Sequence, residues 1–340
     1  MAYDISHSIP TNVAGVTAFP EAPAGFDVVN ASPQARAVYG FPPAPDPVAD
    51  PHGYTQWSRA MSAASRAKRY NGPLRAVDLK SVPMAAAPSA ARNATIFNGV
   101  NRARSTNWSG IVNTTNVTAF SPTASFTTVA SEFTVPVVQD AFSACDGAQH
   151  YEVSWNGIDG YFSGDVLQGG TLSGAACANG VTTTQYYAWV EWYPSYSVLY
   201  AFNVNPGDDI FVETFATGRR SGFVYVFDYT LQIFGSYALS ALRPPYLIGD
   251  SAEYIVERPC CAGANPYPLA NYVWNFWANN YANTGASTLF YPGLRDGTTF
   301  YVSMRDDGDT QTISHPDEVD GKYGFVMKDE NCAYSGGCAP

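Results

Sequence analysis

Short alternating runs of apolar and polar residues fill the chain from Asn107 onward. Because alternate side chains of an extended strand point to opposite faces, this period of two predicts half-buried β-strands. Turn sequences such as NPGDD and RDGTT separate the runs, and no long helical pattern interrupts them. The clearest runs are Phe126–Val138, Tyr186–Tyr200, Asp209–Phe215, Gly222–Phe234, Asn271–Asn280 and Thr298–Met304. Many short strands without intervening helices predict an all-β, two-sheet antiparallel sandwich.

The first 104 residues have a different pattern, rich in proline, alanine and glycine. Proline at this density disfavours helices and central strands, so most of this region is predicted to be irregular. One stretch, Tyr54–Tyr70, has neither glycine nor proline, and its large apolar residues recur every three or four positions. It predicts one amphipathic helix with a basic face. Because the region holds few large apolar residues, we expect residues 1–104 to be a prosegment that packs on the β domain, residues 105–340.

Charge also separates the two regions. Residues 1–104 hold ten lysines and arginines against six acids, a net charge of +4, and the rest of the chain holds eight against 23, a net charge of −15. Opposite charges favour packing of the prosegment on the β domain. The acidic domain would repel phosphates, which argues against nucleic acid as a partner. Charged residues make up only 14% of the chain and aromatic residues another 14%, a balance that suits a β protein with aromatic-lined surfaces.

Six cysteines permit three disulfide bonds, and the sequence leaves their connectivity open. No CxxC pair indicates a zinc or redox site, and Cys332 with Cys338 is the pair most easily bridged because it closes a short loop. Disulfides and five Asn-x-Ser/Thr sequons fit a secreted protein, although MAYDISHSIP lacks the features of a signal peptide. With no apolar run of about 18 residues, the chain is not expected to enter a membrane. We expect a monomer.

The usual catalytic groups are missing or isolated. Four histidines occur, but no GxSxG, HExxH or paired Asp-Thr/Ser-Gly motif accompanies them. His150, in QHYEVSW, is expected on a strand surface rather than as a catalytic base. The sequence holds neither a phosphate-binding glycine loop nor a metal-ligand motif, so we expect no metal and no cofactor. Carboxylates and side-chain amides remain as candidate catalytic groups.

The stretch Ser251–Pro259, SAEYIVERP, places two acids on one face of a predicted strand. With a period of two, Glu253 and Glu257 share their face with Ile255. Either this face is exposed to solvent, or it lines a cleft in which one glutamate is catalytic.

Two further segments combine an acid with aromatic residues. The run WNGIDGYFSGDVLQGG places Trp155, Gly157 and Asp159 on one face before it reaches Gln168. In AWVEWYP, the residues that share a face are Trp189, Glu191 and Tyr193. These segments either form the walls of a substrate groove or belong to a structural aromatic core with a salt bridge.

Together these segments resemble the eqolisin family of glutamic peptidases. The resemblance rests on four motifs in the family's order, NWSGIV, WNGIDG…LQGG, AWVEWYP and AEYIVE, and covers nearly all of residues 105–340. It implies a secreted acid endopeptidase with a concanavalin-like (lectin-like) jelly-roll sandwich, which hydrolyses proteins or peptides and is made as a proenzyme. Residues 1–104 are similar to the family's prosegments in placement and basic character. This implies intramolecular inhibition. Because acid protonates the carboxylates of the β domain, we also expect it to loosen the basic helix and to allow self-cleavage between Lys80 and Asn107.

The resemblance also implies a set of site residues. The family's catalytic glutamine corresponds to Gln168, and its catalytic glutamate corresponds to Glu257 rather than to Glu253. In this interpretation Glu257 activates a water molecule as general base and Gln168 stabilises the oxyanion. The implied substrate-binding residues are Trp108, Trp155, Asp159, Glu191 and Tyr193.

A β-sandwich glycoside hydrolase is the alternative enzyme. Such enzymes also place two glutamates near each other, and aromatic grooves bind sugars well. They usually have an aspartate between the glutamates, where this chain has Ile255. A non-catalytic carbohydrate-binding protein is a third interpretation.

Overall fold

The computed structural model describes residues 7–79, 95–97, 99–139, 145, 147–260, 265–317 and 321–330, with the backbone alone for 95–97. Neither helix of the described chain is long and apolar enough to cross a lipid bilayer. The helices are α1 (Pro33–Val38) and α2 (Pro51–Ala64). The strands are β1 (Ile9–Pro10), β2 (Val16–Ala18), β3 (Lys68–Arg69), β4 (Arg75–Ala76), β5 (Thr95–Phe97), β6 (Val100–Ser105), β7 (Trp108–Thr114), β8 (Phe126–Thr134), β9 (His150–Ile158), β10 (Val166–Ala178), β11 (Val181–Tyr193), β12 (Leu199–Asn203), β13 (Asp209–Gly218), β14 (Ser221–Asp228), β15 (Ile233–Ser240), β16 (Ser251–Glu257), β17 (Trp274–Thr284), β18 (Leu289–Phe290), β19 (Thr299–Arg305), β20 (Thr312–Pro316) and β21 (Phe325–Asp329).

These strands form two layers that share one hydrogen-bonding network. The front layer runs β4-β12-β11-β10-β9-β16-β7-β19-β6-β5. The back layer runs β15-β14-β13-β8-β17-β21-β20, and β20 also pairs with β19, which connects the layers at one side. Strands β13 and β14 pack face to face on β9 and β10. The predicted two-sheet antiparallel sandwich is confirmed, with β6–β19 and β3–β15 as parallel pairs.

Alternation along each strand decides which side chains fill the space between the layers. On β16, Ala252 and Val256 belong to the central apolar cluster, whereas Ile255 belongs to a cluster on the outer surface of the front layer. On β13, Val212 is central and Phe211 belongs to a cluster on the outer surface of the back layer. A slip of register by one residue would exchange the faces. The acids of β16 therefore lie on the outer surface of the front layer, where their spacing predicts them.

Much of residues 7–74 packs on the outer surface of the back layer. Helix α2 buries Trp57 and Met61 in the same cluster as Phe211, Tyr225 and Tyr281. Strands β2 and β3 pair with the edge strand β15, and β4 pairs with the edge strand β12. An edge strand without a partner exposes a row of unpaired backbone groups. The N-terminal region therefore closes one edge of each layer.

The helix predicted at Tyr54–Tyr70 is present but has other ends. It begins at Pro51 because the side chain of Asp50 accepts a hydrogen bond from the N–H of Gly53 at 2.8 Å and because proline suits the first helical turn. It ends at Ala64, and the chain then forms β3 beside β15. The predicted C-terminal end is wrong because strand pairing outweighs helix propensity there. The short helix α1 was not predicted.

The described part of the chain contains a disulfide bond between two sequence-distant cysteines. Cys145 and Cys177 are bridged, with their Cα atoms 4.4 Å apart. The bond ties the chain before β9 to the end of β10, and it confirms the expectation of an oxidised pair rather than metal ligands for these two cysteines. The suggested pair Cys332 and Cys338 lies outside the described residues.

One acid beneath the N-terminal region is buried in apolar surroundings. Glu213 pairs in register with Ala130 and Tyr225, which belong to the cluster covered by α2. Its side chain is fully buried, and neither carboxylate oxygen has a hydrogen-bond partner in the described part of the chain. Burial raises the pKa of Glu213 well above its ordinary value, because the charged form loses its hydration.

We predict that Glu213 destabilises the fold as the pH rises. Because its pKa is raised in the folded state, its stabilising contribution is complete below the ordinary pKa of a glutamate and is lost as the pH rises through the folded-state pKa. Glu213→Gln cannot ionise, so it should reduce the fall in melting temperature between about pH 4 and about pH 8, measured by circular dichroism. Asp317→Asn removes an exposed carboxyl and serves as the control. An equally steep fall in Glu213→Gln would contradict the prediction.

Candidate active site

Aromatic side chains cover the outer surface of the front layer. This cluster, called the aromatic face below, includes Trp108 of β7, Trp155 of β9 and Trp189 of β11, all fully buried. The rings of Trp108 and Trp155 meet edge to face, with centroids 4.9 Å apart. The two tryptophans expected to bind substrate therefore lie in contact on one surface.

Four neighbouring strands bring an amide and two acids into one row on this surface. Gln168 of β10 pairs with Glu191 of β11 on one side and with Gly157 of β9 on the other. Gly157 in turn pairs with Glu253 of β16. Because paired residues point to the same face of a sheet, Gln168 and Glu253 flank a position that has no side chain. Their Cα atoms are two strand spacings apart, about 10 Å. These four residues are called the polar row below.

Glu191 fixes the orientation of Gln168. Nε2 of Gln168 donates a hydrogen bond to Oε2 of Glu191 at 2.7 Å. Because a carboxylate only accepts hydrogen bonds, the amide nitrogen must face Glu191. Oε1 of Gln168 has no partner among the described residues, and an amide nitrogen carries two hydrogens. Gln168 therefore keeps one donor and its oxygen for a reacting group.

Glu253 is a fully buried acid with unused oxygens. Neither oxygen makes a hydrogen bond of normal geometry within the described chain. Burial raises the pKa of Glu253 well above its ordinary value, and the neighbouring Asp159 and Asp250 raise it further. The Ser251 hydroxyl and the backbone of Tyr161 oppose this pKa shift without reversing it. A carboxyl with a strongly perturbed pKa that faces an amide is a candidate for acid-base catalysis.

Glu257 lies on the same face but in a different row. It follows Glu253 by four residues on β16, which places it about 13 Å further along the strand. Its Oε2 accepts a hydrogen bond from Nε1 of Trp155 at 2.8 Å, and its Oε1 accepts one from Nδ2 of Asn107 at 3.5 Å. The register therefore places Glu253, rather than Glu257, opposite Gln168. This corrects the expectation that Gln168 and Glu257 meet.

Asp159, expected to bind substrate, lies one residue beyond the end of β9. Strand β9 ends at Ile158, and Asp159 has a φ of +71°, which breaks the alternation that predicted its direction. Its Oδ2 accepts the backbone N–H groups of Ile248 at 2.6 Å and Gly249 at 2.9 Å, and its Oδ1 accepts that of Asp250 at 2.9 Å. These bonds hold the loop that leads into β16. Asp159 therefore positions the strand that carries Glu253.

The two site residues expected on β11 both lie on the aromatic face. Glu191 belongs to the polar row, and Tyr193 is partly buried against the cluster. Burial raises the pKa of Tyr193, and the charge of Glu191 adds to this shift. Tyr193 therefore stays neutral and forms a half-exposed part of the aromatic face.

The end of the N-terminal region reaches the aromatic face. Residues 75–79, called the covering segment below, continue beside the edge of the front layer, where Val198 donates its N–H to the carbonyl of Leu79 at 3.3 Å. The side chain of Leu79 is buried in the same cluster as the tryptophans. The guanidinium of Arg75 lies 5.0 Å from the ring centroids of Tyr187 and Tyr200. The covering segment therefore occupies the end of the aromatic face nearest Glu191.

Sequence reasoning missed the positions of Glu253 and Gly157 in the polar row. It recognised that Glu253 and Glu257 share a face, but the choice between them depends on how β9 pairs with β10 and β16. No single-strand pattern contains that register. The available signal was Gly157, because a glycine inside a strand marks a place where another group approaches closely.

The model of the Peptidase A4 family matches residues 106–322, more than half of the chain. The chain therefore belongs to the Peptidase A4, or eqolisin, family of peptide-bond hydrolases. The predicted family is confirmed.

Individual relatives agree with this family. Aspergillopepsin-2 of Aspergillus niger is 28% identical over 239 residues, which are 66% of this chain and 79% of that protein. Scytalido-glutamic peptidase with a transition-state analogue inhibitor matches with a TM-score of 0.53 at 21% identity, over 66% of this chain and 98% of that chain. SCP-B, an eqolisin in complex with the tripeptide Ala-Ile-His, matches with a TM-score of 0.50 at 18% identity over the same shares. At these identities, the two structures show the shared fold alone.

We predict that Gly157→Ala impairs activity more than stability. The added Cβ would lie 3.0 Å from the ring of Trp155 and 3.1 Å from Cβ of Gln168, and it would enter the gap in the polar row. A small displacement of reacting groups can reduce kcat by about 100-fold, which a casein assay at acid pH would measure. Gly164→Ala is the matched control, because its Cβ would meet Pro245 at an ordinary 3.4 Å. If Gly157→Ala keeps wild-type activity, the space beside Gly157 is not part of the active site.

Proposed function

We propose that this chain is an acid endopeptidase in which Glu253 is the general base and Gln168 stabilises the oxyanion. The observation that carries this proposal is the polar row, in which the amide and the acid flank Gly157 beside the tryptophans of the aromatic face. The family resemblance assigned the base to Glu257. We assign it to Glu253, because this acid is two strands from the amide without an intervening side chain.

The reaction uses a water molecule bound between the two groups. The carboxylate of Glu253 removes a proton from the water while the water oxygen attacks the carbonyl carbon of the peptide. The oxyanion accepts a hydrogen bond from Nε2 of Gln168, whose other N–H is held by Glu191. The C–N bond then breaks, and Glu253 returns the proton to the leaving nitrogen. The free acid and the free amine leave, and the carboxylate is restored.

The buried Glu253, with its raised pKa, belongs to the inactive form of the enzyme. A protonated carboxyl cannot act as a base, and burial raises the pKa of Glu253, which favours its protonated form. Opening of the aromatic face lets water hydrate the carboxyl, which moves its pKa toward the ordinary value of about 4.3. Glu253 then ionises in the acidic range, where a glutamate is a suitably matched base.

Substitutions distinguish the two glutamates. Glu253→Gln and Gln168→Ala should each lower kcat for casein by about 100-fold or more, because loss of one oxyanion donor in a comparable site costs about 2.7–4 kcal/mol of barrier. Glu257→Gln should keep most of its activity, because Glu257 contacts Trp155 outside the polar row. Assays at acid pH with pepstatin present would measure the rates, with circular dichroism to verify folding. If Glu253→Gln is active and Glu257→Gln is inactive, Glu257 is the general base.

We also propose that the chain is a secreted proenzyme. The covering segment on the aromatic face supports inhibition, and the Cys145–Cys177 disulfide fits an oxidising compartment. The expected cleavage range includes residues 80–94, which lie outside the described residues. Strand β6 is paired along its length with β19, so we place the cleavage before Val100.

Acidification should produce a new N-terminus. Incubation of the full chain at about pH 4, within the range where an ordinary glutamate ionises, should cut it between Lys80 and Val100, as N-terminal sequencing would report. Glu253→Gln should stay intact alone and be cut when active wild-type enzyme is added. A wild-type chain that stays intact and inactive at acid pH would reject self-activation.

A retaining glycoside hydrolase fits these residues less well. It requires two carboxyl groups about 5–5.5 Å apart. The Cα atoms of Glu253 and Glu257 are about 13 Å apart along the strand, and Ile255 stands where such enzymes usually have an aspartate. Comparison of casein with laminarin at acid pH separates a peptidase from a glycosidase, and a carbohydrate-binding protein would cleave neither.

A further inference from the structure

We infer that residues 7–79 remain bound after cleavage, as a second chain docked on the outer surface of the back layer. The inference rests on the proposed cleavage before Val100. Two parts of the N-terminal region then have different roles. The covering segment occupies the aromatic face, whereas residues 7–74, called the docking region below, complete the other side of the sandwich.

The docking region covers a large aromatic surface. Trp57 and Met61 are fully buried and belong to one cluster with rings of the back layer, which are Phe211, Phe223, Tyr225, Phe227 and Tyr281. Each of these five side chains is at most 1% exposed. An aromatic side chain buries about 150–250 Å², and monomeric proteins rarely expose contiguous apolar patches larger than a few hundred Å². Release of the docking region would expose such a patch.

The docking region also completes the hydrogen bonding of the edge strand β15. Tyr70 donates its N–H to the carbonyl of Phe234 at 2.8 Å, and Ser240 donates its N–H to the carbonyl of Gly15 at 3.1 Å. Strands β2 and β3 together pair with both halves of β15. Release would leave β15 as an open sheet edge, which favours aggregation.

Buried polar contacts join the same two parts. Nδ2 of Asn283 donates to Oδ2 of Asp50 at 2.8 Å, and Oγ of Ser236 donates to the carbonyl of Gly40 at 2.6 Å. Both bonds are buried, and buried polar groups are destabilising when they lose their partners. The docking region is therefore held by specific contacts as well as by apolar burial.

Acid pH leaves most of this interface intact. Arg59 pairs with Glu132 of β8, but the side chain of Arg59 is 56% exposed, and half-exposed pairs contribute little. Arg69 lies over the rings of Phe41 and Phe234, a contact that does not depend on a carboxylate. Glu213 is neutral at acid pH, where its burial is least unfavourable. The expected loosening of the basic helix by acid therefore acts on a weak contact.

An added protease tests the inference without self-cleavage. Residues 84–90 of the full Glu253→Gln chain are replaced by the recognition sequence of a site-specific protease. The cut protein is then run on native gel filtration at about pH 4, where an ordinary carboxyl is half ionised, and the peak is analysed by intact mass. We expect both chains in one peak. Separate peaks with a folded β domain would overturn the inference, whether or not the chain is an acid peptidase.

Substitutions on α2 test the contacts that hold the docking region. Trp57→Ala should accelerate dissociation of the cut chains by about 100-fold or more, because it removes a large buried side chain. Thr55→Ala, at an exposed position of the same helix, should not. If thermal unfolding shows that Trp57→Ala does not fold, Met61→Ala replaces it, with an expected acceleration of about 30-fold or more. Dissociation as slow as wild type in the folded variant would overturn the inference.

Discussion

The pairing of β9 with its two neighbours determines where the chemistry of this protein lies. Each residue of β9 fixes which side chains of β10 and β16 face each other, and Gly157 is the residue that brings Gln168 and Glu253 together. A slip of one residue would turn Gln168 into the core, and a slip of two residues on β16 would place Ile255 opposite the amide. The proposed dyad thus depends on backbone hydrogen bonds as much as on the two side chains.

Burial of carboxyl groups then ties this arrangement to acid pH. Burial raises the pKa of Glu152 and Asp228 to about 7 and that of Asp165 to about 6. It also raises the pKa values of Asp159, Glu213, Asp250 and Glu253. Each such group favours folding while it is neutral and destabilises the fold as the pH rises through its folded-state pKa. A protein stable in acid can bury carboxyls that a neutral environment would charge.

Local pattern and long-range pairing explain which features the sequence could predict. The period of two assigned both glutamates of β16 to one face, and helical spacing predicted the amphipathic helix that buries Trp57. Register was beyond reach, because it is a property of two strands together, and the choice of Glu257 over Glu253 came from the family resemblance. The direction of Asp159 was mispredicted for a local reason, since its left-handed φ ends the alternation one residue after β9. The end of α2 was misjudged because β3 gains hydrogen bonds from β15.

The two parts of the N-terminal region act on opposite surfaces of the sandwich through contacts of very different size. The covering segment has few contacts of its own, with Arg75 and Leu79 as its main anchors. Its attachment to the docking region gives it a high effective concentration at the aromatic face, so weak contacts suffice. A cut after Leu79 preserves that attachment. Activation then requires the covering segment to leave the aromatic face while the docking region stays bound to the back layer.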